Sequence, residues 1–186
     1  MNNIYQDKKL FKRIKKKDRD AFLDAYDVYA DDIYRFIFFK IGNVEESHDI
    51  TSAVFLKVWE YAQSHGLDES KSLRAFIYKT ARNLVIDHYR SFGGNKMVDN
   101  SEGVMEGLVD EKQSPLQLSE KISDLEELKK CLGKLKEEYR EIILMHFIDE
   151  LSFAEISEIT GRPIGNLRVL SFRALQALKE LMEKNK

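Results

Sequence analysis

Apolar residues return every three or four positions through most of this chain, and the strict alternation of a half-buried strand never sets in. Phe22, Ala25, Tyr29, Ile33, Phe36 and Ile37 trace one face of a helix from about Asp20 to Lys40, which Gly42-Asn43 breaks. Asn43 and Glu46 have the spacing of a capping pair, so a second helix should follow, carrying Ile50, Val54, Val58 and Trp59. Polar residues from His65 to Ser72 form a loop, and a third pattern then sets Leu73, Phe76, Ile77, Ala81, Leu84, Val85 and His88 on one side. Gly93-Gly94 closes the block. The next stretch is acidic, weakly periodic and interrupted by Pro115, with too few large apolar residues to offset the entropy of ordering. Helical spacing resumes from Leu125 to Leu135 and from Tyr139 to Phe147, and continues to the end. The expected fold is all-α. Two small helical domains, residues 1–95 and 119–186, are joined by a flexible acidic linker at 96–118.

The last stretch reads as a helix-turn-helix. Ser152 and Glu155 form a capping-box pair, and Ile156 and Ile159 give the first helix its apolar face. Gly161 stands where the chain must reverse through left-handed dihedrals, and Pro163 is placed to open the next helix. Ile164, Leu167, Leu170, Ala174 and Leu178 should face inward. No acidic residue occurs from Ile159 to Lys179, whereas Arg162, Arg168, Arg173 and Lys179 are basic. Such a helix can enter a DNA major groove without repelling phosphate. Glycine turns and basic outer faces also occur in ordinary solvated hairpins, so both readings stand for this stretch alone.

Net charge is only −2, but the charge is segregated: eight bases and one acid lie between Lys8 and Arg19, nine acids and two bases between Met97 and Leu128. The basic run either touches DNA or is the solvated start of a helix, the second being preferred. Cys131 is the single cysteine and, among Leu128, Leu132 and Leu135, reads as a small core residue. No internal disulfide can form, which points to a reducing cytoplasm. The N-terminus lacks the apolar run of a signal peptide, and no segment has the length and hydrophobicity to cross a bilayer. His48, His65, His88 and His146 are scattered without metal-ligand spacing, and neither a phosphate-binding glycine loop nor a serine-nucleophile motif occurs. These features argue against an enzyme, a metal site or a cofactor.

Two separated segments carry a family resemblance. One is Asp49-Ile-Thr-Ser-Ala-Val-Phe-Leu-Lys-Val-Trp59 followed by Leu73-Arg-Ala-Phe-Ile-Tyr-Lys-Thr-Ala-Arg-Asn-Leu-Val-Ile-Asp-His-Tyr-Arg90. The other is Leu135-Lys-Glu-Glu-Tyr-Arg-Glu-Ile-Ile-Leu144 with the helix-turn-helix. In this order they resemble the two domains of the small bacterial RNA polymerase sigma factors of the extracytoplasmic-function (ECF) type. The resemblance implies that Asp49, Thr51, Ser52 and Phe55 dock on a coiled coil of the largest polymerase subunit; Ser52 and Ala53 stand where the family more often has glutamine and glutamate. Phe55 and Trp59 read as interface or core, and core is preferred for Trp59. It further implies that Lys79, Arg82, Asn83, Asp87 and Arg90, with the loop from Gln63 to Ser72, open the minus-ten element and trap an extruded base. Apart from the resemblance, Asn83 and Asp87 read as surface residues making local hydrogen bonds, and that reading is preferred on the residues alone. Arg162, Asn166, Arg168, Val169, Phe172 and Arg173 are expected on the minus-thirty-five element, with Phe172 where the family often has histidine. Phe172 either packs on sugar or a thymine methyl or extends the core.

Partners implied are core RNA polymerase, promoter DNA and an anti-sigma factor. The acidic tether either threads a basic polymerase channel or is acidic merely to stay solvated. Two rivals remain on residues alone. One is a stand-alone helix-turn-helix regulator with an N-terminal sensing or dimerisation domain, which would bind its duplex unaided. The other is an adaptor whose basic helix meets acidic proteins.

Overall fold

The computed structural model describes residues 2–64, 72–91 and 127–184. The linker expected at 96–118 and most of the loop between Gln63 and Ser72 lie outside the described residues. Every regular element among the described residues is helical.

Four helices build the first domain: α1 (Asn2–Lys15), α2 (Arg19–Ile41), α3 (Val44–Ser64) and α4 (Leu73–Ser91). The basic run from Lys8 corrects the sequence reading, because most of it belongs to the separate helix α1. Leu10, Phe11 and Ile14 share one side of that helix and are buried, which docks it while its lysines stay in water. α1 ends with Lys17 at a positive φ of 64°. The Lys17 N–H donates to the Ile14 carbonyl at 2.8 Å, and the Asp18 N–H to that of Arg13 at 3.2 Å, a Schellman closure. The Asp18 carboxylate then accepts from the Asp20 and Ala21 amides and starts α2. Gly42, at φ 80°, ends α2, and the Asn43 side chain accepts from the Glu46 amide as the capping spacing predicts.

The stripe on α2 (Ala25, Tyr29, Ile33, Phe36, Ile37) meets Val54, Phe55 and Val58 of α3 and Leu73, Ile77, Tyr78, Ala81 and Val85 of α4. Phe76, Leu84 and His88, expected inside, are only partly covered, while Ala75 and Tyr78 are buried. α4 is covered from several sides at once, so its buried surface exceeds one periodic face. Asp7 of α1 reaches across the domain. Its carboxylate accepts from the Tyr29 hydroxyl at 2.8 Å, the Ser72 hydroxyl at 3.2 Å and the Leu73 and Arg74 amides at 3.2 and 2.9 Å. A carboxylate supplied by one helix therefore caps the first turn of another, where free amides and the helix dipole favour negative charge.

The second domain contains α5 (127–134), α6 (Glu137–Ile143) and a π-turn continuing it (Leu144–Ile148), then α7 (Phe153–Thr160) and α8 (Ile164–Lys184). Arg140 is 2% exposed, and its guanidinium donates to the carbonyls of Leu132, Gly133 and Leu135, closing the C-terminal end of α5. Cys131 is buried as expected. The π-turn departs from the continuous helix that the Tyr139–Phe147 spacing predicts. The Asp149 N–H reaches back to Leu144, and the Leu151 N–H to Met145. Such a widened turn leaves the spacing of apolar residues nearly intact, so periodicity does not register it.

Candidate nucleic-acid interface

α7 and α8 form the helix-turn-helix with the predicted local chemistry. Ser152 and Glu155 make a reciprocal capping box, and Gly161 turns the chain at φ 73°. The Ser157 hydroxyl donates to the Arg162 carbonyl at 2.7 Å, and the Arg162 N–H to the Thr160 hydroxyl at 3.3 Å, which stitches the turn to α7. Leu167, Ala174 and Leu178 are buried as expected, and Leu170 is half-buried. Ile164 is exposed, which corrects the predicted inner face at its first turn, and Ser171, two turns further on, is buried in addition to the predicted residues.

At 3.6 residues per turn, Val169 and Phe172 lie on the side of α8 opposite Leu167, Ala174 and Leu178. Phe172 is 69% exposed, which settles it as a surface residue and excludes the core alternative. Arg168 flanks this apolar ridge on one side, and Asn166 and Arg173 flank it on the other; all three are exposed. Arg162 is half-exposed at the turn, 3.4 Å from the Glu138 carboxylate. The six residues expected on this helix and its turn are thus brought together.

The α4 group is divided. Lys79, Asn83, Asp87 and Arg90 are exposed, with Arg90 3.6 Å from Asp87. Arg82 is not free, because its Nε donates to Glu141 of the second domain at 2.9 Å. On α3, Asp49 and Ser52 are exposed, but Thr51 and Phe55 are buried. Thr51 donates to the Ser47 carbonyl, and Phe55 packs between Phe22 and Tyr26. Of the four residues expected to dock, these two are therefore covered by the fold and only Asp49 and Ser52 reach the surface. Trp59 is half-buried against Phe22, with ring centroids 4.9 Å apart. Sequence reasoning missed the exposed apolar residues Leu23, Tyr26 and Leu56, which fall just off the buried stripes of α2 and α3. Their signal is an apolar residue at a solvent-facing helical register.

The contact between domains was also absent from the periodic reading. Lys40 donates to Glu141 at 2.9 Å and also pairs with Glu137. Arg35 holds the Asp149 carboxylate at 2.7 Å together with Asp32, and Arg74 donates to the Asp149 carbonyl. Lys129 stands over the Phe38 ring at 4.6 Å, and α7 packs on α4. Burial raises the Glu141 pKa, but Lys40 and Arg82 overcome it and hold the carboxyl below its ordinary range. Asp149 goes the other way. Its side chain is 1% exposed, and burial outweighs Arg35 and pushes its pKa up to about 6. Asp149 Oδ2 and the buried Tyr78 hydroxyl have no hydrogen-bond partner among the described residues.

A helical domain with a polar, partly basic helix face, joined to a helix-turn-helix with an exposed arginine-flanked ridge, defines a two-domain DNA-recognition protein. Comparisons specify the class further. Residues 25–93 match the family described as Sigma-70 region 2, and residues 125–178 match Sigma-70, region 4. The chain is 32% identical over 179 residues to the ECF RNA polymerase sigma factor SigW of Bacillus subtilis, covering 93% of this chain and 95% of that protein. It is 27% identical over 173 residues to the ECF sigma factor BldN of Streptomyces coelicolor, covering 93% of this chain and 64% of that one. Its fold is similar to that of CnrH, solved with the cytosolic domain of CnrY, at a TM-score of 0.72 and 16% identity over 97% of this chain and 99% of that one. RpoE of Bartonella quintana, solved with the anti-sigma factor NepR, gives a TM-score of 0.68 at 20% identity over 89% of this chain and 98% of that one. The chain belongs to the sigma-70 family of RNA polymerase sigma factors, in its ECF group, and its function is promoter-specific transcription initiation.

Proposed function

We propose that residues 1–95 form the polymerase-binding and minus-ten-opening domain, that 119–186 form the upstream-element domain, and that 96–118 tether them. Core RNA polymerase is the partner that holds both at promoter spacing. Two separately weak binders then gain specificity because the second contact becomes effectively intramolecular. The exposed residues Asp49, Ser52 and Leu56 on α3, with Leu23 and Tyr26 on α2, support a docking face for the polymerase that is part polar and part apolar. Lys79, Asn83 and Arg90 supply the exposed cations and the base-edge hydrogen-bonding group needed on a melting helix. CnrH and RpoE were solved with protein partners, which supports an anti-sigma partner for this chain as well.

The observation that carries the upstream-element reading is the outward ridge of α8 with an arginine on each side. The test is reconstituted transcription with sigma-free core polymerase. Accurate initiation should require this chain, and Asn83→Ala should reduce permanganate-reactive strand opening by about tenfold or more while leaving promoter binding nearly intact. Equal loss of both would remove Asn83 from the melting role. A chain that binds a specific duplex without polymerase, and never supports initiation, would instead be a stand-alone regulator.

A further inference from the structure

The basic run at the start of the chain has no part in the roles proposed for α3, α4 and α8. Asp7, Leu10, Phe11 and Ile14 follow one another at helical spacing and form the buried stripe of α1. Lys8, Lys9, Lys12 and Lys15 cover the rest of the helix, and Lys16 and Lys17 carry the charge past its end; all six are exposed. Asp7 is the only acid of α1, and its carboxylate is spent on Tyr29 and the start of α4, so the helix supplies no acid to its own outer face. Asp18 and Asp24 are both held by Arg13, at 2.8 and 3.0 Å. Lys8, Lys9, Lys12 and Lys16 pair with no acid among the described residues. The helix dipole accounts for cations in the last turn, where Lys12, Arg13 and Lys15 stand, but not for Lys8 and Lys9 in the middle of the helix.

Asp7 also fixes where this face stands. Its carboxylate accepts from the Ser72 hydroxyl and from the Leu73 and Arg74 amides of the first turn of α4. Lys8 follows Asp7 directly, so its backbone lies within about 12 Å of that turn. A carboxylate already fills the free amides there, which closes the helix start to a phosphate. Arg74 is turned to the Asp149 carbonyl and Asp32, so it is α1 that adds exposed cations beside the turn. We propose that the outer face of α1 is a second nucleic-acid surface, on which Lys8, Lys9 and Lys12 hold phosphates of the single strand that α4 helps to free. The inference rests on the reading of α4 as the melting helix. Lysine ammoniums are compact point charges, and Leu10 and Phe11 are buried, so the face offers neither a planar fork for base edges nor a ring for bases to stack on. Its contribution is therefore independent of sequence and weakened by salt. Contacts made only to the freed strand favour the open complex over the closed one.

The test uses holoenzyme assembled from the full chain and sigma-free core polymerase, with a promoter fragment carrying a premelted minus-ten region. Affinity is measured over a range of salt concentrations. Lys8→Gln with Lys9→Gln and Lys12→Gln should weaken binding about tenfold at low salt and reduce the slope of log affinity against log salt by about 2, since each single-strand phosphate contact contributes about 0.7. Scrambling the freed strand downstream of the element should leave that loss unchanged. Lys130→Gln with Lys136→Gln and Lys184→Gln removes the same charge at exposed sites of the second domain and should change neither quantity. An unchanged slope in the α1 variant, or an equal loss in the control, would overturn the surface. Weaker assembly of the α1 variant with core polymerase would give the face to the polymerase and sink the proposal. A photoreactive group on Lys9→Cys, with the native Cys131 buried, should attach to the DNA strand in the open complex; attachment to a polymerase subunit instead would count against DNA as the occupant. Polymerase-dependent initiation with an unchanged slope discards the α1 surface alone, whereas no initiation at all discards the functional reading beneath it.

Discussion

Phe172 shows how one side chain changes meaning with its environment. An aromatic residue at helical spacing is usually core, yet this one lies outward with Val169 between flanking arginines. In a major groove an exposed aromatic can touch the C5-methyl of thymine, while an arginine can bond a guanine edge in a bidentate pair worth about 1–3 kcal/mol of discrimination. Replacing individual thymines of the upstream element by deoxyuridine, which lacks only that methyl, should weaken transcription by the wild type at one or two positions. Phe172→Ala should be indifferent to the same replacement, whereas Arg168→Ala should relax preference at a different base pair. If the wild type tolerates deoxyuridine at every thymine, the aromatic does not read methyl groups.

Between elements, side chains often finish what a helix cannot finish itself. Asp7 does so for α4, and Arg140 does so for α5. Hydrogen bonds to charged groups contribute roughly 1.5–3 kcal/mol each, and leaving their buried partners unsatisfied adds a further cost. Asp7→Ala strips acceptors from the Tyr29 hydroxyl and from two amides of the first turn of α4. It should lower the stability of the first domain by about 2–4 kcal/mol, measured by urea unfolding. A loss below about 0.5 kcal/mol would mean that water or Ser72 replaces the carboxylate. The sequence offered no sign of this cap, because Asp7 is remote from the helix it serves. The local caps at Asp18, Asn43 and Ser152 were different. Each sits two or three residues from the amides it satisfies, so spacing alone could identify the Asn43 and Ser152 caps.

Across the whole molecule, the docked arrangement carries a pH dependence through Asp149. Its pKa is about 6 when the domains are closed, against an ordinary value of 3.8. A raised carboxyl pKa means that the closed form binds the proton more tightly, so protonation favours closing as pH falls through 6. The contribution is complete below the ordinary value and is lost as pH rises through 6. Glu141 acts in the opposite sense, but only below its ordinary 4.5, because its closed-state pKa is lowered. The groups facing Asp149 are Arg35, Asp32, Arg74 and Tyr78. Between about pH 7 and pH 5 the ratio of closed to open chain should rise about tenfold, read by interdomain energy transfer. Asp149→Asn should flatten the response; a response that survives the substitution belongs to another group.

What the sequence determined by itself was everything governed by neighbours along the chain. Helical periodicity located α2, α3, α4 and the helix-turn-helix, and glycine with capping residues marked the α2–α3 junction and the turn between α7 and α8. The exposed set on α8 followed from the same rule, since its buried and outward faces are fixed by 3.6-residue repetition. Tertiary structure decided which polar residues remain free. Periodicity assigns a residue to a side of a helix but not to what covers that side. Thr51 and Phe55, read from the sequence as docking residues, are therefore buried, and Arg82 passed from an open helix face to a partner in the other domain. Burial also set the opposite protonation tendencies of Glu141 and Asp149. Desolvation and opposing charge depend on distances in space, and separation along the chain does not encode them.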